Sequence, residues 1–321
     1  MVPEPASLER FARDLDALMP AGARVGVAVS GGADSLALLL LAAAARPGDV
    51  EAATVDHVLR PESAGEANMV AQLCDRLGVP HATLTVRWPE PPVTAIQERA
   101  RRERYRLLGF WAEERGLRAI ATAHHADDQA ETLLMRLMRG AGVRGLAGMR
   151  PRSIAPGTEV RLLRPLLGWR RSELQQVRAA AGLTPIADPS NMDEKFERVR
   201  MRRALGDAEW IDAAAVARSA ANLADADSAL DWAMRREWKQ AARESAGVIT
   251  FRPGDAPREI LRRIAARAVR KLASEGDKDL RGAELDRLLT TLTEGGSTTL
   301  RGVLCAGGAE WRFTSAPQRR S

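Results

Sequence analysis

Ser30-Gly31-Gly32-Ala33-Asp34-Ser35 lies between the apolar run Arg24 to Val29 and the apolar stretch Ser35 to Ala45. A short buried strand passing at once into a helix, with glycines at the turn, is the unit of parallel α/β sheets. The two glycines let several backbone N–H groups converge on one anion, and the helix start adds the positive end of its dipole. Ser30 and Ser35 can donate hydroxyl hydrogen bonds to phosphate oxygens, and Asp34 can hold Mg2+ against them. No Gly-Lys-Ser or Gly-Lys-Thr occurs anywhere in the chain, so the loop is not a Walker A motif.

The alternation continues after this unit. Strands are expected at 52–55, 81–86 and 119–123, with helices from Ser63, from Thr94 to Arg115 and from Asp127 to Arg139 between and after them. That order predicts an α/β, Rossmann-like parallel sheet with helices on both faces, whose ligands sit outside the carboxyl ends of the strands. From Gly140 the pattern changes to a glycine-rich loop, an edge strand or hairpin at Arg161 to Pro165, and a helix from Ser172 to Ala181. We expect a catalytic domain over residues 1–215, a helical linker over 216–246 and a small α+β domain over 247–321. Gly140-Ala141-Gly142-Val143-Arg144-Gly145 matches the dinucleotide fingerprint, but it follows a helix where that fingerprint must follow a strand.

Ala123 to Thr132 reads Ala-His-His-Ala-Asp-Asp-Gln-Ala-Glu-Thr after the fourth strand. Asp127 and Glu131 share one helix face, as do Asp128 and Glu131. Carboxylates at a helix start can simply complement its dipole. Beside His124 and His125 they could also hold a metal or a cationic substrate, or run acid–base chemistry. Val55-Asp56-His57 ends the second strand on the same rim.

The 321 residues carry 48 Lys+Arg against 42 Asp+Glu, a balance that permits a polyanionic partner. Most of these cations are arginine and alanine is abundant, which a GC-rich genome would also produce. The longest apolar run, Leu36 to Ala45, is half of what a bilayer needs, so no membrane association is expected. The two cysteines, Cys74 and Cys305, form no ligand pair and fit a reducing cytoplasm.

The loop at Ser30 to Ser35 resembles the PP-loop ATP pyrophosphatases. With Val55-Asp56-His57, Gln97 to Tyr105, the His-His-x-Asp-Asp-x-x-Glu-Thr block, Arg164-Pro165-Leu166-Leu167 and Asp188-Pro189-Ser190-Asn191, the chain resembles the tRNA(Ile)-lysidine synthetases. That resemblance implies joining of L-lysine to C2 of the wobble cytidine of tRNA(Ile) with a CAU anticodon. The reaction would run through an adenylated cytidine, with ATP and Mg2+ as cofactors and pyrophosphate and AMP released. It implies Ser30, Gly31, Gly32, Ala33, Asp34 and Ser35 as the pyrophosphate cradle and Asp34 as metal ligand. His124, Asp127, Asp128 and Glu131 would line the adenylation and lysine site, and Arg198 and Arg202 would meet phosphate or RNA. A homodimer is compatible with all of this.

Two positions depart from the family pattern. Val58 stands where glycine usually follows Val-Asp-His, which implies a different turn, and Val199 replaces an asparagine between Arg198 and Arg200. Three rival readings exist. A cytidine thiolase would need paired cysteines for its cluster. A metal-dependent phosphoesterase could use Asp56, His57, His124, Asp127 and Asp128. A non-catalytic RNA-binding module would bind RNA without turning over ATP.

Overall fold

The computed structural model describes residues 2–59, 62–88, 94–185, 195–208, 210–273, 280 and 282–316. Asp188 to Asn191 lie outside the described residues. The chain divides into two compact units, Met1–Gly140 with Gly145–Ala221, and Ala141–Arg144 with Asn222–Ser321.

The first unit begins with α1 (Pro5–Asp16), an amphipathic helix that buries Phe11 and Leu15 and that the polar N-terminal sequence did not announce. Then follow β1 (Val25–Ala28), α2 (Ala33–Ala45), β2 (Val50–Asp56), α3 (Ser63–Leu77), β3 (His81–Thr85), α4 (Ile96–Glu114), β4 (Ala119–Ala121) and α5 (Ala126–Leu137). A one-turn helix α6 (Val143–Leu146), the strands β5 (Arg152–Ile154) and β6 (Arg161–Leu163), and helices α7 (Arg171–Ala180) and α8 (Glu197–Asp207) complete it. The sheet order is β3-β2-β1-β4-β6-β5, parallel except for β5, which pairs antiparallel with β6. The segment expected as an edge strand or hairpin is therefore both, with β6 inside the sheet and β5 at its edge.

Helices cover both faces. α1, α2, α3 and α7 contribute to one core, and α4 packs Leu108 and Trp111 against Ile120 and Leu162 in another. In α2 every residue from Ser35 to Ala42 is buried, which explains why the helix is apolar all round. Gly26 of β1 is required by packing, since a Cβ there would sit 2.8 Å from the Trp111 ring.

α9 (Ala213–Ala241) runs across the division between the units. The second unit continues with β7 (Ala242–Ser245), β8 (Val248–Phe251), α10 (Arg258–Leu272), α11 (Gly282–Thr293), β9 (Ser297–Leu300), β10 (Val303–Ala306) and β11 (Trp311–Ser315). Its antiparallel sheet, ordered β7-β8-β11-β10-β9, packs Phe251, Trp311 and Phe313 against Ile264, Val269 and Leu289. Between β9 and β10, Arg301 and Gly302 both take positive φ (54° and 70°) and close a two-residue hairpin. No helix among the described residues is long and apolar enough to cross a membrane.

Candidate active site

Strand order reverses between β1 and β4: the chain moves outward to β2 and β3, then returns to the other side of β1. The carboxyl ends of β1 and β4 therefore meet at the usual ligand position in such sheets. The loop Ser30 to Ser35 leaves β1 here, and the block His124 to Glu131 leaves β4.

The loop is shaped by its own serines. Gly31 has φ +80°, and the buried Ser35 hydroxyl donates to the Gly32 carbonyl (2.9 Å) while accepting from the Ser30 amide (3.1 Å). These bonds curl the backbone ahead of the α2 N-terminus, where Gly32 is the N-cap. Asp34 stands in the first turn of α2. Its Oδ1 is buried with no hydrogen-bond partner among the described residues, and its Oδ2 lies 3.4 Å from His125 Nε2.

His125 is the centre of the arrangement, where the family resemblance pointed to His124. The ring is 2% exposed and lies within 3.5 Å of three carboxylates, Asp34, Asp127 and Asp128. Burial pushes its pKa down, but the adjacent carboxylates of Asp127 and Asp34 and the charge of Asp128 outweigh that and lift it to about 9. His125 is thus a cation at neutral pH. Burial works against ionisation of Asp34 too, yet His125, Arg171 and Arg202 hold its pKa below the ordinary carboxylate value.

The carboxylates of α5 meet arginines. Asp127 accepts from the Arg171 amide (2.8 Å) and the Arg170 guanidinium (3.2 Å). Burial opposes its ionisation, but His125 and these donors push its pKa far below normal. Asp128 accepts from the His125 amide (3.1 Å) and from Arg198 (2.5 Å). Glu131, 2% exposed, accepts from Arg198 Nε and Arg202 Nε, both at 2.7 Å. Arg198 and Arg202 are one turn apart on α8, so one acidic side chain grips both. Both are part-buried and ion-paired.

His124 is half-buried. Desolvation first, then the charges of Arg164, Arg101, Arg198 and His125, keep its pKa well below 6.5, so it is neutral at pH 7. Thr122 Oγ1 engages its Nδ1 at 3.0 Å. At the end of β2, His57 lies against Arg104 (3.4 Å), and Asp56 Oδ1 accepts from the Val58 amide (2.8 Å). Val58 takes φ +52°, a left-handed backbone in which glycine carries no steric cost.

The structure thus gathers Ser30 to Ser35, Asp34, Asp127, Asp128, Glu131, Arg198 and Arg202 in one unit and adds His125, Arg170 and Arg171. The signal for His125 is the histidine doublet at the helix start. Arg170 and Arg171 are only a basic pair before a helix, and nothing local marks them as partners of Asp127, 43 and 44 residues away.

A glycine-rich loop at the start of a helix, set on β1 at the switch point of a parallel sheet and facing cationic side chains, defines a PP-loop ATP-using enzyme. The PP-loop domain family matches residues 7–209. A tRNA(Ile)-lysidine synthase of Novosphingobium aromaticivorans is 51% identical over 97% of this chain and 94% of its own length. One from Zymomonas mobilis is 44% identical over 94% of this chain and 91% of its own. The chain belongs to the tRNA(Ile)-lysidine synthase family of ligases. A U34-tRNA thiolase from Methanococcus maripaludis shares the fold, with a TM-score of 0.55 at 15% identity over 68% of this chain and 79% of its own.

Proposed function

We propose that this chain joins L-lysine to C2 of the wobble cytidine of tRNA(Ile) bearing a CAU anticodon, in the cytoplasm. One observation carries the reading: the phosphate loop and the His-Asp-Glu block occupy neighbouring strand ends, joined through His125. In the first half-reaction the cytidine O2 attacks the α-phosphorus of ATP, pyrophosphate leaves, and an adenylated cytidine forms. In the second, a lysine amine adds at C2, loses a proton, and AMP departs. We assign residues 1–215 to this chemistry, 216–246 to a linker and 247–321 to tRNA binding.

Amides of Gly31 to Asp34 would hold the β- and γ-phosphates, with the α2 N-terminus adding its field. Arg171 and Arg202 add positive charge near Asp34, suited to the leaving pyrophosphate. The orphan Asp34 Oδ1 fits a hard divalent cation, and among the described residues no set of three His, Cys, Asp or Glu side chains is grouped for a metal. Asp34 would therefore be the side chain that holds Mg2+, which when bound would supply positive charge for the phosphates. Neutral His124, with Nδ1 occupied by Thr122, retains Nε2 for the proton lost by the attacking amine. The lysine ammonium would compete with Arg198 and Arg202 for Asp128 and Glu131, which lets the same carboxylates serve both.

The test is transfer of labelled lysine to CAU-anticodon tRNA(Ile) in the presence of Mg-ATP. Lysine incorporation matched by AMP and pyrophosphate supports the reading. ATP cleavage with no lysine in the RNA, or release of orthophosphate, overturns it.

A further inference from the structure

The second unit contains an open pocket of about 340 Å3 lined by α9, α10 and the segment carrying Arg144. Apart from Arg270, which has a partner of its own, its charged groups sort into two sets. Asp231, the carboxylate of the lining, sits 2.5 Å from the Arg263 guanidinium, which also binds Asp227 and Glu259. Lys271 is paired with Glu244 at 2.5 Å. Those charges are balanced inside the protein. Arg144, Arg235 and Arg267 form the second set, and none of the three makes an ion pair with a described residue.

Arg267 is held in place by an aromatic ring, while the Glu244 carboxylate, already paired with Lys271, acts on it from further off. Its guanidinium lies 4.8 Å from the Trp238 ring centroid, and its Nε is buried with no acceptor. A buried donor without an acceptor is costly, and three unpaired guanidinium groups around one pocket repel each other. An anion with several oxygens relieves that repulsion, and a guanidinium fork matches phosphate geometry. One turn before Arg235 on α9, Trp232 is 59% exposed with the Arg236 guanidinium 5.6 Å from its ring centroid. A flat aromatic surface with a cation beside a phosphate pocket fits RNA better than free phosphate.

We propose that this pocket seats a backbone phosphate of the RNA substrate, at a place outside the catalytic site. The proposal rests on the reading that the substrate is a tRNA. It is tested on the full chain with Arg144→Ala and Arg235→Ala, both exposed positions, against Arg252→Ala, an exposed arginine elsewhere in the same unit. Binding of the tRNA transcript is measured across a salt series, with melting temperatures to establish folding. Each pocket variant should weaken binding roughly three- to tenfold and lower the slope of log Kd against log salt by about one. Arg252→Ala should change neither, and pyrophosphate release at saturating tRNA should keep its wild-type rate in all three. Pocket variants that bind tRNA like the wild type overturn the proposal. So does stabilisation by inorganic phosphate that the tRNA fails to displace, which would make the site one for free phosphate. Wild-type protein that binds tRNA yet transfers no lysine would defeat the lysine-ligation reading and leave this one standing.

Discussion

The His125 Nε2 atom lies 3.4 Å from the Asp34 carboxylate and ties the loop after β1 to the helix after β4 through one buried ring. The contact occupies Oδ2 of Asp34 and leaves Oδ1 buried and unpartnered. A carboxylate so placed contributes little to packing and much to the charge of the site.

Asp34→Asn keeps the side-chain shape and removes that charge. Pyrophosphate release should fall by about 100-fold or more, the scale of losing one preorganised electrostatic group. The Mg2+ concentration for half-maximal rate should rise in the residual activity, and the melting temperature should fall, since buried His125 loses one of its three carboxylates while the fold stays intact. A folded variant with normal turnover and unchanged Mg2+ dependence would remove Asp34 from the metal role.

Glu131→Gln tests how the acidic block is used. Glu131 is 2% exposed and receives two charged hydrogen bonds at 2.7 Å, so its loss should cost on the order of 2 kcal/mol of stability in denaturant unfolding. If lysine competes for this carboxylate, the apparent KM for lysine should rise more than that for ATP, with tRNA saturating. An unchanged lysine KM alongside a collapsed ATP affinity would show that Glu131 acts by placing Arg198 and Arg202 against phosphate.

Much of the first unit was legible because its strands and helices have strong local patterns. Val25 to Ala28, Ala33 to Ala45 and Ala126 to Leu137 each declare their type by apolar period and turn chemistry. The phosphate loop was legible for the same reason, since its function resides in consecutive backbone groups. Ion pairs across long separations were not. Glu131 with Arg198 spans 67 residues, and only tertiary packing of α8 on α5 reveals it. The roles of His124 and His125 were likewise hidden, because burial and three facing carboxylates, not sequence position, make one neutral and the other cationic. In the second unit, the positive φ at Arg301 had no local cue beyond the glycine after it.

The pH dependence of stability should carry a contribution from His57. Burial first, then the Arg104 guanidinium, lower its pKa from 6.5 to about 4, with Asp56 acting in the opposite sense. A folded pKa below the unfolded one means that the unfolded chain binds the proton first. The neutral ring's contribution is therefore complete above about pH 6.5 and is lost as the pH falls toward 4. Relative to His57→Gln, the wild type should lose about 1–2 kcal/mol of stability between roughly pH 8 and pH 5. A stability difference between the two proteins that stays constant over that range would refute the assignment.

Val58 offers a stabilising change. Its φ of +52° places a β-branched residue in the left-handed region, and its side chain is 55% exposed, so little packing compensates the strain. The conformation is imposed from outside by β2 and by the Asp56 carboxylate, which accepts the Val58 amide at 2.8 Å. Strain of this kind costs about 1–3 kcal/mol. Glycine relieves it while adding roughly 0.5–1 kcal/mol of unfolded-chain freedom. Relief of strain outweighs the added freedom, so Val58→Gly should stabilise the protein by about 1 kcal/mol and keep the Asp56 bond, because the amide remains. Val58→Asn should also stabilise, since asparagine tolerates this region without the extra chain freedom of glycine. Chemical unfolding of the three proteins decides the matter: a lower midpoint for both variants would mean that the turn does not store the strain assigned to it.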